Sequence, residues 1–319
     1  EAHWNLSLLE LIAHNYKSGL ERYEWRWKRK NLKPHATPNT PQWAGEILNA
    51  GEKLLIVSEQ GLGDSIQFMR YIPYLKQKGI DVSFCAQPQL HSLIKASDID
   101  SNPLTPEQAN LITEGKWIPL LSLPRYLDVN PQNPIVSDPY ISTTDQLFNK
   151  WKVILSKEKK PIIGINWQGN HNTEKHNLRG RSLPLEVFST ITKNNNLKFL
   201  SLQKGFGSEQ LDNCSFKEKF VNCQKTVDAI WDFLETAAMI ANCDLIITSD
   251  TSVAHLAGGM GKTTWLLLQN VPDWRWGITG ETTFWYPYMR LFRQNQRDNW
   301  HGVMNTVARE LPTLINKLE

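Results

Sequence analysis

Cysteine is scarce in this sequence: Cys85, Cys214, Cys223 and Cys243 are the four present, with no CxxC pair and no His at zinc-ligand spacing. That excludes a disulfide framework and a structural zinc site; Cys214 and Cys223 are near enough in sequence to pair, but free thiols in a reducing compartment are expected. No apolar run reaches the ~20 residues needed to span a bilayer, and no signal-peptide pattern opens the chain. A cytoplasmic protein is expected, at most peripheral to a membrane. Charge of one sign is also lacking. A net charge of +3 gives no electrostatic case for DNA or RNA, although it leaves room for a local phosphate site.

What is present describes a folded protein of two domains. Hydrophobic residues make up 40% and charged residues 21%, Trp is abundant at 13, and 319 residues exceed one ordinary domain. The chain opens at Glu1 inside a helical pattern and without Met, so an upstream segment is expected to have been cut away. Residues Ala2 to Lys30 carry Trp4, Leu8, Leu11, Tyr16, Leu20, Tyr23 and Trp27 at helix-face spacings, with Gly19 between the halves. This helix pair resembles one tetratricopeptide repeat, with Asn5-Leu6-Ser7 opening the first helix, Tyr16 near its end, Gly19 at the small position and Tyr23 at the aromatic one. An ordinary helical hairpin is the alternative. As a repeat it would end an array and offer a surface to a protein partner. We take residues 1–31 as the hairpin.

Pro34, Pro38 and Pro41 make Leu32 to Trp43 an extended linker. Beyond it, Lys53 to Ser58 reads as a buried strand, Gly61 to Asp64 as a turn, and Ser65 to Lys78 as an amphipathic helix. Asp81 to Ala86 is a second strand and Pro88 to Ala96 a second helix, an alternation that predicts a parallel sheet. After a connecting helix, Thr144 to Ser156, the pattern restarts. Pro161 to Trp167, Leu197 to Gln203, Asp244 to Ser249 and Thr263 to Leu268 are strands; Leu183 to Asn194, Ala229 to Asn242, Val253 to Met260 and Val303 to Leu318 are helices. The expected domains are therefore 32–150 and 151–319, both doubly wound α/β.

Ligands in such sheets bind past the carboxyl ends of the strands, which singles out three places. In Glu59 to Asp64 two glycines permit close backbone approach, and Asp64 fits either a general base or a helix-end acid that complements the dipole. Trp167-Gln168-Gly169-Asn170 leads into a polar loop, His171 to Arg181, where the Gly169 and Asn170 amides and the cations Lys175, Arg179 and Arg181 suit an anion or simply solvent. Asp250-Thr251-Ser252-Val253-Ala254-His255 turns a strand into a helix whose first N–H groups suit a phosphate; His255 fits a ligand contact or a packed, capping histidine. Two familiar motifs fail. Gly61 and Gly63 lack the third glycine of a dinucleotide fingerprint, and Gly258 to Thr263 has Leu256 where a phosphate loop needs its first glycine. A dehydrogenase is thereby excluded.

Together, Gly61-Leu-Gly-Asp-Ser-Ile-Gln-Phe-Met-Arg-Tyr-Ile-Pro73 and Asp250-Thr-Ser-Val-Ala-His-Leu-Ala-Gly-Gly-Met-Gly261 resemble glycosyltransferase family 9, the heptosyltransferases, and more closely its bacterial members that follow tetratricopeptide repeats. The resemblance runs from about Leu54 to the C-terminus. It implies a GT-B fold, two Rossmann-like doubly wound domains facing a cleft, with a nucleotide-diphosphate sugar bound by the C-terminal domain. It further implies inverting, metal-independent hexosyl or heptosyl transfer to a glycan, lipid or protein acceptor, with no cofactor and no metal. Residue by residue, it makes Asp64 the base that deprotonates the acceptor hydroxyl. Gln60, Gly61, Gly63 and Gln67 fall on the acceptor side. Trp167, Gln168, Gly169, Asn170, Arg181, Asp250, Thr251, Ser252, Val253, Ala254 and His255 fall on the donor phosphates. Ser252 departs from the family's glycine, and Glu59 or Ser58 stands where heptosyltransferases carry a first-strand lysine, so a heptose donor and a lipopolysaccharide acceptor do not carry over. An inactive GT-B scaffold acting as a binding module is the alternative. Trp274 and Trp276, in the aromatic stretch Val271 to Gly277, suit either stacking on a base or sugar or packing of the loop.

Overall fold

The computed structural model describes residues 1–29, 32–159, 161–174, 180–192 and 197–316. The chain divides into two compact units, Glu1–Ser142 and Thr143–Glu319.

The first unit opens with helices Ala2–Ile12 and Tyr16–Tyr23, followed by a 3₁₀ turn, Glu24–Lys28. Tyr16 starts the second helix rather than closing the first, because His14 takes a left-handed backbone (φ 66°) that ends the preceding one. Gly19 permits the close crossing: a Cβ there would lie 2.7 Å from the Leu11 side chain. The linker runs extended against the domain, with Pro34 bridged to Glu59 and Gln42 to Trp117. Three parallel strands follow, β1 (Lys53–Val57), β2 (Asp81–Cys85) and β3 (Lys116–Pro119), in the order β2-β1-β3. The register pairs Val57 with both Cys85 and Pro119. The expected helix over residues 65–78 is two helices, Leu62–Phe68 and Tyr71–Gln77. Pro73 has no N–H to return to residue 69, so the helix restarts with the proline in its first turn.

In the second unit, helix Asp145–Leu155 is capped by Thr144, whose hydroxyl accepts from the Leu147 N–H at 3.3 Å. Five parallel strands follow: β4 (Ile162–Asn166), β5 (Lys198–Ser201), β6 (Leu245–Ser249), β7 (Thr264–Leu268) and β8 (Met289–Arg293), in the order β5-β4-β6-β7-β8. β4, β6 and β7 are buried along their whole length, as continuous apolar runs in a doubly covered parallel sheet should be. Two expected helices are shorter. Residues 185–191 form a 3₁₀ run after Pro184, with Lys193 and Asn194 outside the described residues, and the 229–242 stretch is helical only over Phe233–Ala241, where Asp232 caps the Glu235 N–H. The C-terminal helix spans Trp300–Ile315 and packs on the 3₁₀ run and β8. In each sheet the order reverses beside the first strand, between β1 and β3 and between β4 and β6, so the loops after β1, β4 and β6 sit at topological switch points.

Candidate functional site

On the first unit the loop after β1 is tightly held. Glu59 is buried and receives a bidentate contact from Arg26, at 2.8 and 2.9 Å. Burial raises the Glu59 pKa, with Glu24 adding to the rise and the Arg26 contact and the Leu121 N–H opposing it, while the pull of Glu59 and Glu24 raises Arg26 in spite of its burial. Gln60 has a left-handed backbone (φ 60°), a strain of about 1–3 kcal/mol that persists only where the surroundings impose it. Asp64 is half-buried and accepts from the Gly61 N–H at 2.9 Å, reaching back over the first turn of helix Leu62–Phe68 to its N-cap residue. The helix-end role is therefore realised, through Oδ2. Gly61 and Gly63 lie on the same turn, whereas Gln67 is fully buried.

His35 is a residue that sequence pattern does not mark. The linker returns it to this loop, where its Nδ1 sits 2.8 Å from Ser58 Oγ and the imidazole is half-buried. Burial lowers its pKa, against the raising influence of the Gln60 carbonyl and Asp64. Only the linker prolines hint at such a return.

On the second unit, Gln203 braces the loop after β4. Its carbonyl accepts from the Trp167 and Gln168 amides at 3.2 and 2.9 Å. The Gly169 N–H donates to Ser182 Oγ at 3.0 Å. The Gly169 amide expected to meet an anion is thus already used, because side chains from neighbouring loops reach it first. What the loop offers instead is a cation. Arg181 lies flat over Gly169, so that a Cβ at that position would stand 2.5 Å from Nη2. Glu174 Oε1 accepts from the guanidinium Nε at 3.1 Å. Lys175 and Arg179 lie outside the described residues.

The loop after β6 meets this cation. Thr251 donates its hydroxyl to Asn166 Oδ1 at 3.0 Å, tying the ends of β4 and β6 together. Asp250 is buried, and its pKa is pushed up to about 6 by burial and by Asp273, against the pull of Arg181, the Trp276 indole and Arg275. The fold therefore gathers Arg181, Asp250, Asp273 and Arg275. Helix Ser252–Gly259 begins here, and its first N–H groups, on Ser252 and Val253, have no acceptor within the helix; Ala254 already bonds back to the Thr251 carbonyl at 3.0 Å. His255 takes the packed role, with Nδ1 2.8 Å from the Tyr286 hydroxyl and its ring stacked on Trp276.

Trp274 and Trp276 are 4% and 3% exposed, so they offer no open face for stacking. Trp274 packs edge-on to Trp285, whose indole N–H is bound by the Arg275 carbonyl at 3.0 Å. Exposed rings at the carboxyl end of this sheet lie after β5 instead. Phe206 is 55% and Trp231 73% exposed; Trp231, with Gln203, Lys204, Gly205 and Asp228, lines a cavity of about 360 Å³. A position in the short irregular stretch before a helix cap is the one local signal that Trp231 carries. Among the described residues, no three His, Cys, Asp or Glu are grouped to hold a metal, and no helix is long and apolar enough to cross a membrane.

This arrangement is the fold of family 9 glycosyltransferases, as the paired motifs implied. A family 9 glycosyl transferase from Veillonella parvula superposes with a TM-score of 0.59 at 11% identity, over 86% of this chain and 100% of the other. E. coli ADP-heptose LPS heptosyltransferase II gives 0.54 at 11% identity, over 84% and 99%. In sequence the chain is similar to Protein FlbA of Caulobacter vibrioides, 25% identical over 296 residues, and these cover 85% of this chain but 48% of FlbA, about half its length. No family model matches the chain.

Proposed function

We propose that this protein is a glycosyltransferase that moves a sugar from a nucleotide-diphosphate sugar to an acceptor hydroxyl, with inversion and without a metal. The observation that carries the reading is that Arg181 acts on Asp250, the residue before the N-cap of helix Ser252–Gly259, at the switch point of the second sheet. A cation and helix N–H groups without an intrahelical acceptor together suit a diphosphate. The cavity beside Trp231 supports the reading, since a base of any identity can stack on an indole. In the transfer, the acceptor oxygen attacks the anomeric carbon, its proton passes to the Asp64 carboxylate, and the bond to the diphosphate oxygen breaks. The diphosphate leaves with both electrons, its charge met by Arg181 and the Ser252 and Val253 amides. The acceptor is a glycan, a lipid or a protein. Glu59 or Ser58 stands where heptosyltransferases carry a lysine, and Glu59 is bound to Arg26, so neither gives support to a heptose donor.

One observation favours a second reading, an inactive scaffold that only binds: Asp64 already serves as a helix cap. Calorimetry with UDP, GDP and ADP, and turnover with the corresponding nucleotide sugars, separate the two. Arg181→Ala is expected to weaken nucleotide-diphosphate binding by about 10–100-fold, the worth of a charge-assisted contact. Asp64→Asn is expected to keep that binding while turnover falls on the order of 10²-fold or more. Unchanged affinity in the first variant removes Arg181 from the site, and unchanged turnover in the second reduces Asp64 to a cap.

A further inference from the structure

Arg26 and Glu59 form a buried ion pair that the transfer chemistry does not use. The Arg26 side chain is fully buried and donates to five acceptors: the two Glu59 oxygens at 2.8 and 2.9 Å, Ser122 Oγ at 2.7 Å, Glu24 Oε1 at 2.7 Å and the Tyr23 carbonyl at 3.3 Å. Its guanidinium also lies over Trp27, 4.4 Å from the ring centroid. Glu59 accepts in addition from the Leu121 N–H at 3.1 Å, so its carboxylate is fixed from two sides. A buried ion pair adds little net stability over an apolar pair of the same volume. What it adds is direction, because a bidentate guanidinium sets the plane of the carboxylate it holds.

A second, independent contact falls on the next residue. Gln60, in its left-handed backbone, donates its side-chain amide to the Tyr23 hydroxyl at 3.3 Å, and its carbonyl accepts from Gln87 at 3.5 Å. Gly61, the residue after that, donates to Asp64. Three consecutive residues are therefore fixed, the first two by side chains of the N-terminal helical segment and the third by Asp64 itself.

We infer that Arg26 is a positioning residue: acting through Glu59, and together with Tyr23, it makes the N-terminal helical segment the clamp that sets the Gln60–Asp64 loop. This rests on the reading that the loop carries the acceptor-side base. It gives the hairpin a role in the geometry of that site, whatever else its outer face contacts.

Hydrogen exchange of the full chain without ligand tests the clamp and does not depend on turnover. Arg26→Lys keeps the charge but loses the second hydrogen bond to the carboxylate; Tyr23→Phe removes the hydroxyl to which Gln60 donates. Each is expected to speed exchange of the amides between residues 58 and 66 by about 10-fold, roughly the loss of one hydrogen bond's worth of local protection. Melting temperature and UDP, GDP or ADP affinity should stay near the parent values in Tyr23→Phe, which decides the matter if Arg26→Lys folds poorly. Faster exchange confined to residues 2–28, with the loop unchanged, overturns the proposal and makes the pair a mere anchor of the hairpin. A parent chain that binds none of the nucleotides counts against glycosyl transfer, and the exchange result still stands or falls separately.

Discussion

Asp250 shows how the site stores a charge at a cost. Its ordinary pKa of 3.8 rises to about 6 through burial and the neighbouring Asp273. A carboxyl whose folded pKa is raised binds more protons folded than unfolded between those values, so stability falls as pH rises through that interval and the loss is complete above it. Two units correspond to up to about 3 kcal/mol at neutral pH. Denaturant titrations at several pH values should therefore show Asp250→Asn more stable than the parent at pH 7, with the gap closing towards about pH 4. A gap that is constant across that range would mean that Asp250 does not titrate there. Asp64, Arg181 and Asp250 are legible in the sequence because each stands a few residues past an apolar run or in the loop that leaves one. The Arg26–Glu59 pair is not, because its members lie 33 residues apart and nothing local marks an Arg as buried. His35 is hidden for the same reason: only the path of the linker places it beside Ser58.

Among the elements, the aromatic stretch after β7 takes the packing role of the two open to it, and exposed rings stand in the stretch after β5. The 3₁₀ turn Trp274–Trp276 is a wall: Arg293 donates to the Trp276 and Gly277 carbonyls, and the Tyr286 ring lies so close to helix Ser252–Gly259 that a Cβ on Gly258 would meet it at 2.6 Å. Trp274→Ala should accordingly cost about 3–5 kcal/mol of stability, the usual loss for a buried aromatic, with little change in nucleotide affinity. Trp231→Ala should do the reverse, leaving the melting temperature in place and weakening nucleotide binding on the order of 10-fold, in the range of base stacking. Thermal unfolding and calorimetry on both variants check the pair of outcomes, and a stability loss for Trp231 would place it in the core instead. Sequence pattern cannot separate these tryptophans, because both lie outside periodic segments. It does find the fully buried strands. β3 and β8 escape it: Lys116–Pro119 is four residues ending in proline, and Met289–Arg293 mixes charge with apolar residues. The break before Tyr71 also departs from the single helix expected over residues 65–78, where the apolar period outweighed the mark that Pro73 leaves.

For the molecule as a whole, alternation of strands and helices is enough to imply two doubly wound sheets, and the paired motifs are enough to imply the GT-B fold, although the superposed structures share 11% of residues with this chain. In sequence the N-terminal hairpin stands apart as a piece of 31 residues, because its helical period stops at a proline-rich linker. Physically it is part of the first unit. Its Arg26 is the counter-ion of Glu59, and Tyr23 and Glu24 reach Gln60 and Ser122. A chain of residues 32–319 would keep every strand of both sheets yet leave the Glu59 carboxylate without its partner. Removing one member of a buried ion pair costs about 3–5 kcal/mol, more than the pair itself contributes, because the remaining charge has lost its compensation. The shortened chain should therefore melt well below the parent at neutral pH. Part of the loss is contact area, and part is the stranded charge. Glu59→Gln in the shortened chain isolates the second part: it should recover stability at pH 7, whereas in the full chain the same substitution should destabilise by taking the Glu59 carboxylate from the buried Arg26, which keeps only Glu24 as a carboxylate partner. Opposite signs in the two backgrounds, read from denaturant midpoints, are the signature of the pair; equal effects in both would mean that hairpin and domain are held together by packing alone.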